Sequence, residues 1–97
     1  MDTTARILDD LVEVIRDRQA QRPEGSYTAY LFDQGQDKIL KKMGEETSEV
    51  IIASKNNEKG PIVYEMADLV YHLLVLMTYH GVTLEDIYGE LGARRIK

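Results

Sequence analysis

Cysteine is absent from this chain, which removes disulfides, thiolate nucleophiles and cysteine-ligated metals from consideration. Proline occurs only at Pro23 and Pro61, and no stretch alternates polar and apolar residues with period two, so there is no strand signature. The longest apolar run, Leu73 to Met77, is far too short to span a bilayer. Met1-Asp2-Thr3-Thr4 has no basic stretch leading into an apolar one, so no secretory signal is expected and the expected location is cytoplasmic. Repeats, linkers and low-complexity tracts are missing as well. Positive charge is scarce: 12 Lys and Arg stand against 17 Asp and Glu, a net charge of −5. That balance is poor for gripping nucleic acid by its phosphates, so neither nucleic acid nor membrane is expected as a partner. A surplus of carboxylates instead suits a site that collects divalent cations and brings in an anionic substrate through them.

What is present is helix. The 97 residues are expected to form a single domain, 1–97. A helical domain of this size has a thin core, so surplus apolar helix surface would point to oligomerisation. Ile7, Leu8, Leu11, Val14 and Ile15 recur at three- and four-residue spacing and predict a first helix from about Thr4 to Gln21, capped by Thr3 or Thr4. Arg22-Pro23-Glu24-Gly25 breaks it. Ser26 is placed to cap a short helix, Tyr27 to Gln34, closed by Gly35. A third helix is expected over Gln36 to Ser54. Gly60-Pro61 is expected to open a fourth that runs to His80, with proline at the first helical position. Thr83 starts a fifth, reaching about Arg94, with Asp86 as its capping-box partner. The expected fold class is all-α, a bundle of four to five helices with short connections.

The acids are informative because of where they fall. At about 100° per residue, Ile39, Met43, Val50 and Ala53 form one stripe of the third helix. Glu46 lies in the middle of that stripe, Glu49 on its edge, and Glu45 beyond Glu49. In the fourth helix Ile62, Met66, Leu69, Leu73, Leu76 and Met77 are expected to face the core, with Glu65 and Asp68 flanking them. Each helix thus carries a carboxylate pair at i, i+3 beside its apolar side. An unpaired buried carboxylate costs several kcal/mol and must be paired, protonated or metal-bound. Oxygen-only ligands favour Mg²⁺, Mn²⁺ or Ca²⁺ over zinc or copper. Lys38, Lys41 and Lys42 lie one to two turns before the acids and Lys55 follows them, a workable arrangement for handling phosphate. Taken singly, these acids and lysines also read as ordinary solvated helix charge, with Lys42 pairing to Glu46 or Glu49. His72 falls on the stripe of Glu65 and Asp68 and is expected to be packed and hydrogen-bonded. His80, beside Gly81, complements the helix dipole. The tyrosines are expected in core or interface, with Tyr27 the exception.

The pattern Glu45-Glu46-x-x-Glu49, then Glu65-x-x-Asp68, resembles the signature of the all-α NTP pyrophosphatase (MazG-like) superfamily. Ser26-Tyr27-Thr28, Leu31, Gly35, the block Lys38 to Glu46, Ala53-Ser54-Lys55, and Glu65 to Leu74 narrow the resemblance to the phosphoribosyl-ATP pyrophosphatase family of histidine biosynthesis. The resemblance covers nearly the whole chain. It implies an enzyme that hydrolyses phosphoribosyl-ATP to phosphoribosyl-AMP and pyrophosphate, the second step of that pathway; the activity is fused in many organisms to a cyclohydrolase domain, for which no residues are left over here, so the free-standing form is expected. It implies Mg²⁺ as cofactor, with a water made more acidic by the cation attacking at the α/β phosphate linkage, and protomers that pair as homodimers. By position, Glu46, Glu49, Glu65 and Asp68 would be metal ligands, with Glu45 beside them as a further ligand or water-orienting base. Lys38, Lys42 and Lys55 would steady phosphates, and Ser26, Tyr27 and Thr28 would form a substrate entrance. A house-cleaning (d)NTP pyrophosphatase would use the same acids, and a non-catalytic helical dimer would leave them solvated.

Overall fold

Five helices make up the computed structural model, which describes residues 6–95: α1 (Ile7–Gln21), α2 (Tyr27–Gln34), α3 (Gln36–Asn56), α4 (Lys59–His80) and α5 (Leu84–Arg94). No strand occurs among the described residues, and the fold is all-α. The expected Thr3 or Thr4 cap lies outside the described residues.

Local chemistry sets most of the boundaries. The Ser26 hydroxyl accepts the Ala29 N–H at 3.1 Å, starting α2. Gly35 adopts φ 91 and ψ −174, a region essentially restricted to glycine, and so ends α2 and begins α3 at a single residue. Gly81, at φ 72, closes α4 in the left-handed region. Two boundaries differ from the sequence reading. Helix α3 runs past Ser54 to Asn56, and Asn57, of the Asn56-Asn57 pair expected to end it, takes the left-handed cap at φ 59 and donates its N–H to Ala53 and Ser54. Helix α4 begins at Lys59, which makes Pro61 its third residue rather than its first. Nothing is lost by this, because the first four N–H groups of a helix have no intrahelical partner.

Thr83 and Asp86 close a reciprocal capping box at the start of α5, with Thr83 N–H donating to Asp86 Oδ2 at 2.9 Å and Asp86 N–H to Thr83 Oγ1 at 3.1 Å. Those bonds hold the Asp86 carboxyl below its ordinary value. A lowered folded value adds stability above the unfolded pKa, and that stability is lost as pH falls through the folded one. Thr83→Ala is expected to cost about 1 kcal/mol, roughly 4–8 °C in Tm for a domain of this size. Thermal unfolding at neutral pH checks this, and an unchanged Tm would show the box to be idle.

The core takes residues from every helix: Ile15 of α1, Leu31 and Phe32 of α2, Ile39 of α3, Leu74 and Val75 of α4, and Leu84 of α5. The α3–α4 pair is the most extensive packing, with α1 on α4 and α2, and α2 on α3. The expected inward stripe of α3 is observed, with Ile39 and Ala53 buried and Glu46 buried between them. The inward face of α4 is different. Its buried residues are His72, Leu74 and Val75, whereas Met66 is 47% and Leu73 40% exposed. The reason is that α4 is apolar on nearly every side, so periodicity alone cannot choose its inner face. Val63, Tyr64, Met66, Val70 and Leu73 stay exposed, and Val63, Met66, Val70 and Leu73 follow the alternating three- and four-residue spacing of a heptad seam. By length and composition alone α4 could also cross a membrane, although Glu65, Asp68 and His72 interrupt it.

Candidate functional site

The packing of α3 on α4 turns two carboxylate pairs into one cluster. Carboxylate oxygens of Glu46, Glu49 and Glu65 lie within 4.8 Å of one another. Glu46 is 6% exposed, and its Oε2 is buried without a hydrogen-bond partner. Glu65 is half-buried and Glu49 exposed. Asp68 is half-buried, outside this trio, and close enough for its charge to act on Glu46 and Glu65. Glu45 points elsewhere: it is exposed and pairs with Lys42 Nζ at 3.3 Å. That pairing lies at i, i+3, so the alternative partners of Lys42, Glu46 and Glu49, are left to the cluster.

The electrostatics are those of crowded acids. Burial, then the charges of Asp68 and Glu49, push the Glu46 carboxyl above the ordinary range, opposed by Lys42 and, only when its ring is protonated, by His72. Glu65 is pushed up to about 7, first by a hydrogen bond with Glu49, then by burial and by the charges of Glu49, Glu46 and Asp68. The hydrogen bond from Glu49 is the largest cause of the Glu65 shift. An orphaned buried oxygen, three converging carboxylates and an oxygen-only donor set are what a hard divalent cation requires. The residues fit such an ion.

The substrate-side residues divide into two groups. Tyr27 is 46% exposed, and its hydroxyl meets His72 Nε2 at 2.8 Å. Its ring lies 6.4 Å from that of Tyr30, which in turn faces Lys38 Nζ at 5.9 Å. Ser26 and Thr28 face inward by comparison: Ser26 caps α2, and the buried Thr28 hydroxyl bonds to the Tyr71 hydroxyl. Lys55 is exposed in the last turn of α3. The sequence reading did not anticipate the Tyr27–Tyr30–Lys38 stack or the Thr28–Tyr71 bond. Tyr27 and Tyr30 stand at the i, i+3 spacing of α2, whereas the Tyr30–Lys38 and Thr28–Tyr71 contacts join different helices, which no helix period relates. His72 is buried and bonded through both ring nitrogens, as its place on the Asp68 stripe predicts.

A groove of about 210 Å³ beside the cluster is lined by Glu49, Glu65, Ile52, Ala53, Asn56 and Pro61. A larger cleft of about 370 Å³, between α1 and the α4–α5 turn, contains none of the predicted site residues. Charge and donor chemistry favour the smaller groove.

Comparison with known proteins finds relatives over nearly the whole chain. The family described as "Phosphoribosyl-ATP pyrophosphohydrolase" matches residues 8–95. A Pelotomaculum thermopropionicum protein named phosphoribosyl-ATP pyrophosphatase is 63% identical over 94% of this chain and 93% of its own length. A Clostridium novyi protein of the same name is 52% identical over 94% of this chain and 83% of its own length. The histidine biosynthesis bifunctional protein HisIE of Thermoanaerobacter pseudethanolicus is 62% identical over 89% of this chain, which spans 40% of that longer protein.

Proposed function

The chain belongs to the phosphoribosyl-ATP pyrophosphohydrolase family, and from that membership we infer that its carboxylate cluster is the working site of a divalent-cation-dependent pyrophosphatase. The reaction is hydrolysis of phosphoribosyl-ATP to phosphoribosyl-AMP and pyrophosphate, in histidine biosynthesis. The observation that carries the site assignment is the buried Glu46 carboxylate, its Oε2 without a partner and its group within 4.8 Å of Glu49 and Glu65.

Glu46, Glu49 and Glu65 would hold the cation, with Asp68 one turn along α4 from Glu65. Mg²⁺ is the reading that matches oxygen ligands and a polyphosphate substrate. When bound, the cation would neutralise charge on the phosphates and make a water a stronger nucleophile. The protein's own part is positioning and charge. Lys42, whose ammonium is steadied by its hydrogen bond to Glu45, stands ready for a phosphate oxygen. Lys38, beside Tyr30, extends that positive edge toward α2. Lys55 would meet the substrate only from the far end of α3. Glu45, exposed and outside the trio, would act on water or through Lys42 rather than as a ligand. Ser26 and Thr28 would serve the site by fixing α2, which carries Tyr27.

Pyrophosphate release from phosphoribosyl-ATP, with ATP and dUTP in parallel and with Mg²⁺ or EDTA, tests the reading. Mg²⁺-dependent release from phosphoribosyl-ATP is expected. Release mainly from ATP or dUTP would move the chain to a house-cleaning role, and no release at all would sink the catalytic reading.

The open seam on α4 supports a homodimer, because exposed apolar side chains at heptad spacing are the geometry a second copy would cover. A cytoplasmic, single-domain enzyme acting on a free nucleotide accords with this picture. Val70→Glu is expected to halve the particle mass in sedimentation equilibrium while helical content is retained. A wild-type chain sedimenting as a monomer at micromolar concentration would refute the pairing.

A further inference from the structure

His72 sits four residues after Asp68 on α4, is 4% exposed, and is bonded at both ring nitrogens. Its Nδ1 lies 2.8 Å from the Asp68 carbonyl oxygen and its Nε2 lies 2.8 Å from the Tyr27 hydroxyl. A carbonyl can only accept, so Nδ1 carries a proton. The neutral ring then has a lone pair at Nε2, and Tyr27 must donate its O–H to it. The backbone of the carboxylate helix thereby sets the tautomer, and the tautomer sets the direction of the tyrosine hydrogen bond. The two rings meet edge to face at 5.8 Å and 84°, which fixes the tyrosine relative to α4.

The Tyr27 hydroxyl has one proton, and it is directed at His72. What remains is a pair of acceptor sites on an oxygen within electrostatic reach of Lys42, Glu46 and Asp68, on a ring that is nearly half exposed. A tyrosine at a phosphate site ordinarily donates to a phosphate oxygen, and this one cannot do so without breaking its bond to His72. Phosphate oxygens offer no proton in return. Sugar hydroxyls do, and a phosphoribosyl nucleotide carries a second ribosyl group that ATP lacks. The adjacent stacked face of Tyr30 extends an aromatic wall against which a sugar can lie.

Resting on the function proposed above, we propose that His72 is a positioning residue that holds Tyr27 as a hydrogen-bond acceptor, so that Tyr27 receives a sugar hydroxyl of the substrate rather than contacting a phosphate. His72 itself touches no substrate atom. Its contribution is to keep the Tyr27 proton turned away from the site.

Two measurements on the full chain test this. The first is ¹⁵N NMR of the His72 ring without substrate. A protonated Nδ1 and a bare, pyridine-type Nε2 are expected, and an Nε2–H or doubly protonated ring would overturn the proposal whatever the enzyme's activity. The second is kinetics with phosphoribosyl-ATP and Mg²⁺. Tyr27→Phe removes an interaction made alike in ground and transition states, so KM should rise by about tenfold with most of the loss in KM rather than kcat. His72→Gln can still accept from Tyr27 through its amide oxygen and should keep KM within about threefold of wild type. His72→Asn is too short to reach Tyr27, and its KM should follow Tyr27→Phe. A purely structural histidine would make both His72 variants track Tm instead. An unchanged KM in Tyr27→Phe, or a loss confined to kcat, would overturn the acceptor role. A wild-type chain that ignores phosphoribosyl-ATP would remove the proposed function and the sugar contact with it, while the ring spectrum would still decide the tautomer.

Discussion

Glu46→Gln should make the protein more stable and nearly inactive. Glu46 is buried, its Oε2 has no partner, and Glu49 and Glu65 lie against it. Removing its charge without changing its shape relieves repulsion and supplies an amide donor that neighbouring carboxylates can accept. Relief of an unsatisfied buried group is worth about 1–3 kcal/mol, roughly 5–20 °C in Tm for a chain of this length. That gain should be seen in EDTA. With Mg²⁺ the order should reverse, because a ligand bound only by the folded state raises stability, and the variant would have lost much of that binding. Activity should fall by about 10²- to 10³-fold, the several kcal/mol that a correctly placed cation contributes. Paired thermal scans of wild type and variant, with and without Mg²⁺, check the stability half. A variant destabilised in EDTA, or one that keeps the full Mg²⁺ shift, would take Glu46 out of the cation site.

The second large effect is a dependence on pH that the cation should cancel. Glu65 is raised from 4.5 to about 7 in the folded chain, with the Glu49 hydrogen bond as the leading cause. A group whose folded pKa is raised contributes stability that is fully present below the unfolded value and is lost as pH rises through the folded one. In EDTA, Tm should therefore decline between about pH 5 and pH 8 as the Glu65 carboxyl loses its proton. Glu46, raised for related reasons, adds in the same direction. A divalent cation replaces that proton, so its binding should release protons at pH 6, tighten as pH rises through 7, and remove the decline. Thermal scans across pH, with EDTA or Mg²⁺, and calorimetry in buffers of different ionisation enthalpy measure both. Glu65→Gln should flatten the EDTA profile. A wild-type profile already flat in EDTA would mean that the three carboxylates do not interact as the structure places them.

The helices were legible because their signals are local. Ser26, Gly35, Gly81 and the Thr83–Asp86 box act within one or two turns, and each lies where the sequence puts it. The Asn56-Asn57 stop of α3 also fell where the sequence puts it, whereas the start of α4 moved to Lys59 because a proline is tolerated equally at the first or third helical position. The i, i+3 spacing of Glu46 with Glu49 and of Glu65 with Asp68 was legible for the same reason, since helix geometry sets each pair's face.

The sequence by itself therefore determined an all-helical chain, the stops of its helices, and two acidic edges beside apolar stripes. Family membership follows from the same residues. Only the tertiary structure decided which edges meet. Glu46, Glu49 and Glu65 converge while Asp68 stands a little apart, Glu45 turns to Lys42, and His72 reaches 45 positions back along the chain to Tyr27. It also decided which side of α4 stays uncovered. The physical reason is common to all of these. A helical period fixes angles around one axis, whereas the rotation of α3 and α4 against each other is set by how Ile39, Leu74 and Val75 fill a shared core.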